Sequence, residues 1–162
     1  MRLRLSVIGL LVASLLVGCS SEKTTSAPNP VTIYGVTVSG ELNSAPVVTF
    51  GSDAAPVSVL TAQDIVTGTG TAVTPTSSVT AHYIGYGMNT RNKFDSSWDR
   101  GQPATFPISG VIAGWQQGLQ GMKVGGRRLL IIPGDLAYGT SPPPGIESNE
   151  TLVFVVDLTA VS

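Results

Sequence analysis

The stretch VIAGWQQGLQGMKVGGRRLLIIP, residues 111–133, contains a helix pattern followed by a strand pattern. Its apolar side chains recur at intervals of three and four, which predicts one short helix with a single apolar face. The residues on that face are Ile112, Trp115, Leu119 and Met122. The run from Arg128 to Ile132 then favours a strand, which Pro133 ends. We find no second convincing helix pattern between the N-terminal segment and the end of the chain.

Strand patterns surround this helix on both sides. In VTAHYIGY, residues 79–86, alternation places Val79, Ala81 and Tyr83 on one face, so Tyr83 should point inward. The polar residues 89–92 predict a turn, and a further strand should begin at Lys93 to make a hairpin. Residues 152–158 alternate again and predict the last strand. The fold class is therefore α+β, with one short α-helix laid across an antiparallel β-sheet.

Composition agrees with a sheet-dominated fold and excludes one class of partner. Charged residues make up 12% of the 162 residues, while 19 glycines and 11 prolines separate short runs of Val, Thr and Ile. Nine basic and ten acidic side chains give a formal net charge of -1, and neither sign is clustered. Nucleic acid is therefore not expected as a partner.

The N-terminus resembles a secretory signal of the bacterial lipoprotein type. Arg2 and Arg4 precede an apolar run from Leu5 to Val17, which is too short to span a bilayer comfortably. The run ends in LVGC, residues 16–19, which is similar to a lipobox. This resemblance implies lipidation of Cys19, removal of residues 1–18, and a protein held at the extracytoplasmic surface of a bacterial membrane through its lipid anchor. The alternative is an ordinary secreted protein with a chance free cysteine.

Between this segment and the main domain we expect two further regions. Residues 19–30 are polar and rich in small residues and proline, and they predict a flexible tether. Residues 31–60 show β-branched runs between glycine and proline breaks, and they predict two or three short strands in an N-terminal extension. We place the main domain at residues 61–162, and the sequence indicates no function for the extension.

The main domain has no usual set of catalytic side chains. Its single histidine, His82, lies on the face opposite Tyr83, and no serine or cysteine nucleophile motif accompanies it. We assign His82 no catalytic role. Several aromatic residues instead occur at turns and strand ends, where a side chain often lines a cavity rather than the core. They are Tyr83, Phe94, Trp115, Tyr138 and Phe154.

Five segments, in order, resemble the FKBP-type peptidyl-prolyl cis/trans isomerases. They are HYIGY at 82–86, KFDSSWDRGQP at 93–103, VIAGWQQGLQGMKVG at 111–125, AYG at 137–139 and TLVFVVDL at 151–158. The resemblance spans about residues 56–162 and implies a strongly twisted antiparallel sheet wrapped around one short helix. The segment SGELNSAPVVTFG at 39–51 is also similar to secreted actinobacterial members of the family.

The resemblance implies a role for each site residue. Trp115 would form the floor of a proline pocket, and its walls would be Tyr83, Phe94, Ile112 and Phe154. The Tyr138 hydroxyl and the Ile112 backbone N–H would donate hydrogen bonds to a substrate carbonyl. Asp95 would be the polar group at the rim and pair with Arg100, and Val111 would border the pocket. No cofactor or metal is implied, and the expected partners are proline-containing polypeptides and macrolide ligands.

The sequence also departs from the family pattern. Ala104 stands where many relatives have a phenylalanine, Pro143 where many have a histidine, two residues are missing before Val111, and the loop from Gly139 to Glu150 is altered. These differences bear on substrate preference and macrolide affinity.

Three interpretations of the function remain at this point. We favour a monomeric enzyme that accelerates proline-limited folding of exported proteins. The first alternative is a binding or chaperone-like surface lipoprotein that kept the fold and lost catalysis. The second is a β-rich structural lipoprotein without a pocket.

Overall fold

The computed structural model describes residues 29–162, which form two antiparallel sheets and one α-helix in this part of the chain. The strands are β1 (Val31–Ile33), β2 (Val36–Ser39), β3 (Val47–Phe50), β4 (Thr61–Val66), β5 (Ser78–Gly87), β6 (Lys93–Ser96), β7 (Ala104–Pro107), β8 (Arg127–Ile132) and β9 (Leu152–Val161), and the helix is α1 (Ala113–Gly118). The lipobox, Cys19 and most of the predicted tether lie outside the described residues. No described helix has the length and apolar character that a membrane span requires.

The main sheet has the strand order β4-β8-β9-β5, and both β6 and β7 pair with the outer edge of β5. β7 pairs with the first half of β5 and β6 with its second half, so the β5–β6 hairpin predicted from the turn at 89–92 is present. Register shifts occur at Thr80/Ala81 and at Gly85/Tyr86. Such bulges bend a strand and increase its twist, and they let β5 curve around the helix.

One face of the main sheet packs against α1 and forms the first hydrophobic core. Inward-facing residues of β5, β8 and β9 contact Trp115 and Leu119 of the helical segment. Tyr83 is 6% exposed and lies in this core, as its alternation predicts. The α+β fold class is therefore confirmed.

The helix is shorter than its apolar pattern predicts. Ile112 and Leu119 cap α1 at its two ends, and Met122 lies beyond it, although its side chain is still buried in the first core. Gly121 has a left-handed backbone (φ 71°), a conformation that ends a right-handed helix. The prediction that Met122 belongs to the helix is therefore wrong, because the pattern shows which side chains face the core but not where the backbone turns.

The N-terminal extension forms a separate three-stranded sheet, β1-β2-β3, over the opposite face of the main sheet. Val36 and Val38 of β2 are 0% and 1% exposed, and they share a second core with residues of β5, β8 and β9. Those residues are Ile84, Leu129, Ile131, Val153 and Val155. The main sheet is thus covered on both faces, by the helix on one side and by the extension on the other.

Candidate active site

A pocket of about 300 Å³ opens between the main sheet and α1. It is lined by Tyr83, Phe94, Asp95, Phe106, Gly110, Val111, Ile112, Trp115, Tyr138 and Phe154. Four strands (β5, β6, β7 and β9), the start of the helix and the segment after β8 each contribute, so residues distant in sequence meet at one place. The walls are mostly apolar and aromatic, as in most small-ligand sites.

Trp115 lies at the centre of the aromatic cluster and is 4% exposed. The edges or faces of three other rings meet it at nearly right angles: the centroid distances are 5.5 Å to Tyr83, 5.8 Å to Phe106 and 5.3 Å to Phe154. Edge-to-face contacts of this kind fix the orientation of each ring. Among residues 29–162, the Trp115 indole N–H is the buried side-chain polar group without a hydrogen-bond partner. The indole therefore presents a rigid surface held by packing alone.

Phe94 packs edge-to-face against Phe154, with the ring centroids 5.5 Å apart and an interplanar angle of 85°. Gly85 on β5 permits this arrangement, since a Cβ atom there would lie 2.6 Å from Phe94 Cζ and 2.8 Å from Phe154 Cε1. A side chain at position 85 would displace both walls of the pocket.

Tyr83, Asp95 and Arg100 form a hydrogen-bonded triangle at the pocket rim. The Tyr83 hydroxyl donates to Asp95 Oδ2 at 2.5 Å and accepts from Arg100 at 2.8 Å, while Arg100 donates to Asp95 Oδ1 at 2.5 Å. Burial alone would raise the pKa of Asp95, but hydrogen bonds from Tyr83 and Arg100 outweigh it and lower the pKa below its usual value. Asp95 is therefore ionised at neutral pH and fixes the Tyr83 ring.

Besides the Trp115 indole N–H, two hydrogen-bond donors at the pocket have no acceptor among the described residues. One is the Tyr138 hydroxyl, which belongs to a side chain 39% exposed, and the other is the backbone N–H of Ile112, the N-cap of α1. Burial, and then the negative charge of Asp95, raise the pKa of Tyr138, so its phenol stays protonated. A carbonyl group placed in the pocket would find both donors unoccupied.

Eight of the nine residues predicted for the pocket line it, and Arg100 lies behind Asp95 as its ion-pair partner. The structure adds Phe106 and Gly110, which the sequence reasoning missed. Alternation along β7 could have identified Phe106, because Ala104 and Phe106 share the half-buried face of that strand. Ala104 packs against the first core and Pro143 is exposed, and neither lines the pocket.

His82 has a structural environment. Its ring stacks on Trp98 with centroids 3.9 Å apart, and its Nδ1 lies 3.0 Å from Ser97 Oγ. The Ser97 hydroxyl in turn accepts from the Tyr83 backbone N–H at 2.8 Å. His82 is absent from the pocket lining.

An aromatic pocket with unoccupied hydrogen-bond donors, held between a curved antiparallel sheet and one short helix, has the form of a small-ligand site. The profile described as FKBP-type peptidyl-prolyl cis-trans isomerase matches residues 69–159. The chain belongs to the FKBP family and is a peptidyl-prolyl cis-trans isomerase.

Individual relatives agree with this assignment. The chain is 50% identical over 99 residues to a probable FK506-binding protein of Corynebacterium glutamicum, covering 61% of this chain and 84% of that protein. It is 48% identical over 110 residues to an FK506-binding protein of Streptomyces anulatus, covering 65% and 89% of the two chains. The crystal structure of FkpA from Escherichia coli superimposes with a TM-score of 0.60 at 42% identity, over 64% of this chain and 48% of that one. The crystal structure of AtFKBP13 gives 0.57 at 32% identity, over 67% and 98%.

Proposed function

We propose that the protein isomerises Xaa-Pro bonds of exported polypeptides by a non-covalent mechanism in the aromatic pocket. The proline ring rests on the Trp115 indole, between the walls that Tyr83, Phe94 and Phe154 provide. Val111 and Ile112 close the pocket on the helix side. The observation that carries this proposal is the pair of unoccupied donors, Tyr138 and the Ile112 N–H, beside the apolar pocket.

The pocket favours rotation because the rotating amide is less polar than the planar one. Amide resonance gives the X-Pro bond a barrier of about 18–20 kcal/mol, and it separates charge between oxygen and nitrogen. The twisted transition state has less of this charge separation, so an apolar environment destabilises the planar ground state more than the transition state. The aromatic rings around Trp115 supply that environment.

The two donors then select the rotated geometry of the carbonyl. A hydrogen bond from Tyr138 or from Ile112 accelerates the reaction only if it is stronger in the transition state than in the planar substrate. Each tenfold acceleration requires about 1.4 kcal/mol, which is within the range of one or two oriented hydrogen bonds. No proton transfer is involved.

The direct test is the cis/trans exchange rate of a short Xaa-Pro peptide, measured by NMR with residues 20–162, which contain every described element. We expect Tyr138→Phe to lower kcat/KM about three- to tenfold, the effect of one hydrogen bond. Phe94→Ala removes one wall and should lower it at least about tenfold.

Tyr34→Phe is the matched control, because Tyr34 is 61% exposed in the turn between β1 and β2 and does not line the pocket. Its rate should equal that of the wild type. Peptide binding by the wild type without acceleration would instead support the chaperone-like alternative, and folded pocket variants with wild-type rates would refute the assigned site.

We also propose that Cys19 carries a lipid anchor and holds the enzyme at an extracytoplasmic membrane surface, where exported chains emerge. The lipobox LVGC at 16–19 supports this location. In cells, Cys19→Ser should appear in the soluble fraction, and Ser20→Ala should remain with the membranes as a control. Equal membrane recovery of the Cys19→Ser variant would refute the anchor.

Macrolide binding is a second proposal for the same pocket. One relative is described as a probable FK506-binding protein and another as an FK506-binding protein, and the pocket here is lined by the aromatic rings of Tyr83, Phe94, Phe106, Trp115, Tyr138 and Phe154. A macrolide of this class should inhibit peptide isomerisation by competition and should bind Phe94→Ala more weakly. Inhibition that excess peptide does not relieve would contradict a shared site.

A further inference from the structure

A buried carboxylate links two segments that flank the pocket. Glu150 is 2% exposed, and its Oε1 accepts from the Thr90 backbone N–H at 3.0 Å and from the Thr90 hydroxyl at 2.9 Å. Its other oxygen, Oε2, accepts from the Glu147 N–H at 2.9 Å. No salt bridge to Glu150 is found among residues 29–162. A buried charge held only by hydrogen bonds depends on each of them, so we call the Thr90–Glu150 pair the latch.

Glu150, one half of the latch, lies at the end of the loop that follows Tyr138, residues 139–150. Asn149, the neighbour of Glu150, donates its backbone N–H to the Gly139 carbonyl at 2.7 Å. Gly139 donates in turn to the Gly134 carbonyl at 2.8 Å. These hydrogen bonds couple the backbone beside Glu150 to Gly139, the residue after Tyr138. The Tyr138 side chain lines the pocket.

The other half of the latch lies in the turn before β6. Thr90 is three residues before Lys93, where β6 begins, and Phe94 and Asp95 of that strand line the pocket. The latch therefore joins the segment before Phe94 to the loop after Tyr138. This loop also lies above Phe94, since a Cβ atom on Gly145 would be 4.0 Å from Phe94 Cβ.

The N-terminal extension holds the neighbours of both latch residues. Arg91 follows Thr90, donates to the Ala54 carbonyl at 2.6 Å and lies with its guanidinium carbon 4.7 Å from the centre of the Phe50 ring. Thr151 follows Glu150, and its hydroxyl accepts from the Val57 N–H at 3.2 Å. Both sides of the latch are thus attached to the N-terminal extension, through Phe50 at the end of β3 and through Ala54 and Val57 in the segment after it.

We infer that Thr90 and Glu150 are positioning residues for the isomerase reaction, and that they act by holding the 139–150 loop and Tyr138 against the pocket. The N-terminal extension keeps the latch in place through Arg91 and Thr151. This inference rests on the role proposed above for Tyr138. It gives the extension a part in the reaction although none of its residues lines the pocket.

The test compares Thr90→Val with Thr90→Ser in residues 20–162. Valine keeps the β-branched shape and removes the hydroxyl donor, so we expect kcat/KM for an Xaa-Pro peptide to fall about fivefold, the effect of one hydrogen bond. Serine retains the donor and should stay within about twofold of the wild type. Glu150→Gln, which places an NH₂ group against one of the N–H donors, is a second variant in case Thr90→Val does not fold.

A double-mutant cycle with Tyr138→Phe separates positioning from stability alone. If the latch acts through Tyr138, Thr90→Val should change kcat/KM less than about twofold in the Tyr138→Phe background. Equal falls in both backgrounds would overturn the inference, even if the melting temperature drops in each. Amide hydrogen exchange at Gly139 and Asn149 should be faster in Thr90→Val, and Arg91→Asn should show the same change because asparagine accepts the left-handed backbone at this position (φ 59°).

The outcomes also distinguish this inference from the proposed function. If Tyr138→Phe is slow but Thr90→Val has the wild-type rate, the positioning role of the latch is refuted and the assignment of the pocket as the active site stands. A Tyr138→Phe variant as fast as the wild type would contradict the proposed role of Tyr138 and the latch together.

Discussion

Tyr138 contributes a hydroxyl that must keep its proton to donate a hydrogen bond. Burial and the neighbouring Asp95 carboxylate both oppose ionisation and raise the pKa of Tyr138 above its ordinary value, which is about 10. The neutral donor is fully present below the raised pKa and is lost as pH rises through it. The rate should therefore remain constant from neutral pH to about pH 10 and decline only above it.

Exchange spectroscopy between pH 7 and 11, with circular dichroism to monitor folding, measures this decline. Tyr138→Phe has no phenol to ionise at this position, so its isomerisation rate should not show the fall that ionisation of Tyr138 causes in the wild type. Tyr83, whose pKa is raised by burial and by Asp95, is present in both proteins and serves as an internal reference. A decline in the wild type centred below pH 10 and absent from Tyr138→Phe would contradict the raised pKa.

At the scale of single residues, the sequence identified most of the pocket through its resemblance to a family. Periodicity alone placed Tyr83 inward and Trp115 on the apolar helix face, and the turns around Phe94 and Tyr138 suggested a cavity. Periodicity could not show that Phe106 completes the aromatic cluster, because that contact depends on β7 pairing with β5. Nor could it find the latch, since the carboxylate of Glu150 lies 60 residues from Thr90.

At the scale of elements, two glycines determine how closely α1 approaches β8. A Cβ atom on Gly114 would lie 2.2 Å from Ile132 Cγ2, and one on Gly118 would lie 2.8 Å from Leu130 Cδ2. Alanine favours a helix over glycine by about 1 kcal/mol, yet here its methyl group would push the helix from the sheet.

We therefore expect Gly114→Ala to lower the free energy of unfolding by about 1–3 kcal/mol. Gly118→Ala should lower it by less, because the contact that its methyl group would make is longer. Because Trp115 is adjacent to Gly114, the same change should also raise KM for the peptide. Urea denaturation and peptide kinetics measure the two effects. Gln117→Ala, at an exposed position of α1, is the control and should leave both nearly unchanged. A Gly114→Ala protein more stable than the wild type would show that the helix can move away without loss.

A third glycine, Gly121, explains what the helix pattern could and could not predict. The three-and-four spacing identified the residues that face the core, and all of them do. The length of the helix depends on Gly121 and its left-handed backbone, a conformational choice that side-chain hydrophobicity does not record.

At the scale of the whole molecule, the extension changes which surfaces of the sheet are available. The sequence predicted strands at 31–60 from their β-branched runs, but those runs carry no information about the surface they cover. Packing over the second face joins Val36 and Val38 to strands about 50 to 120 residues later in the chain. Only the three-dimensional structure shows that this sheet lies behind the pocket and contacts the segments that flank it.

A buried ion pair fixes the extension to the main sheet. Arg127 is 0% and Asp157 2% exposed, and Arg127 donates to the two Asp157 oxygens at 2.5 and 2.7 Å. Its remaining donors reach the carbonyls of Gly40 and Ser44 at 2.9 and 2.7 Å, and the Asn43 N–H donates to Asp157 at 3.0 Å. The loop between β2 and β3 therefore closes over the pair and excludes water from it.

Asp157→Asn should cost about 3–5 kcal/mol in the free energy of unfolding, because it leaves the Arg127 charge buried without its counter-ion. Asp64→Asn is the matched control: it breaks the pair with Arg128, in which Asp64 is 32% exposed, and should cost about 0–1 kcal/mol. Replacing Arg127 and Asp157 together by leucine should recover part of the loss, since no unpaired charge then remains. Urea unfolding of the wild type and the three variants measures these differences. If both asparagine variants lose a similarly small free energy of unfolding, water reaches Arg127 and the extension is not closed over the sheet.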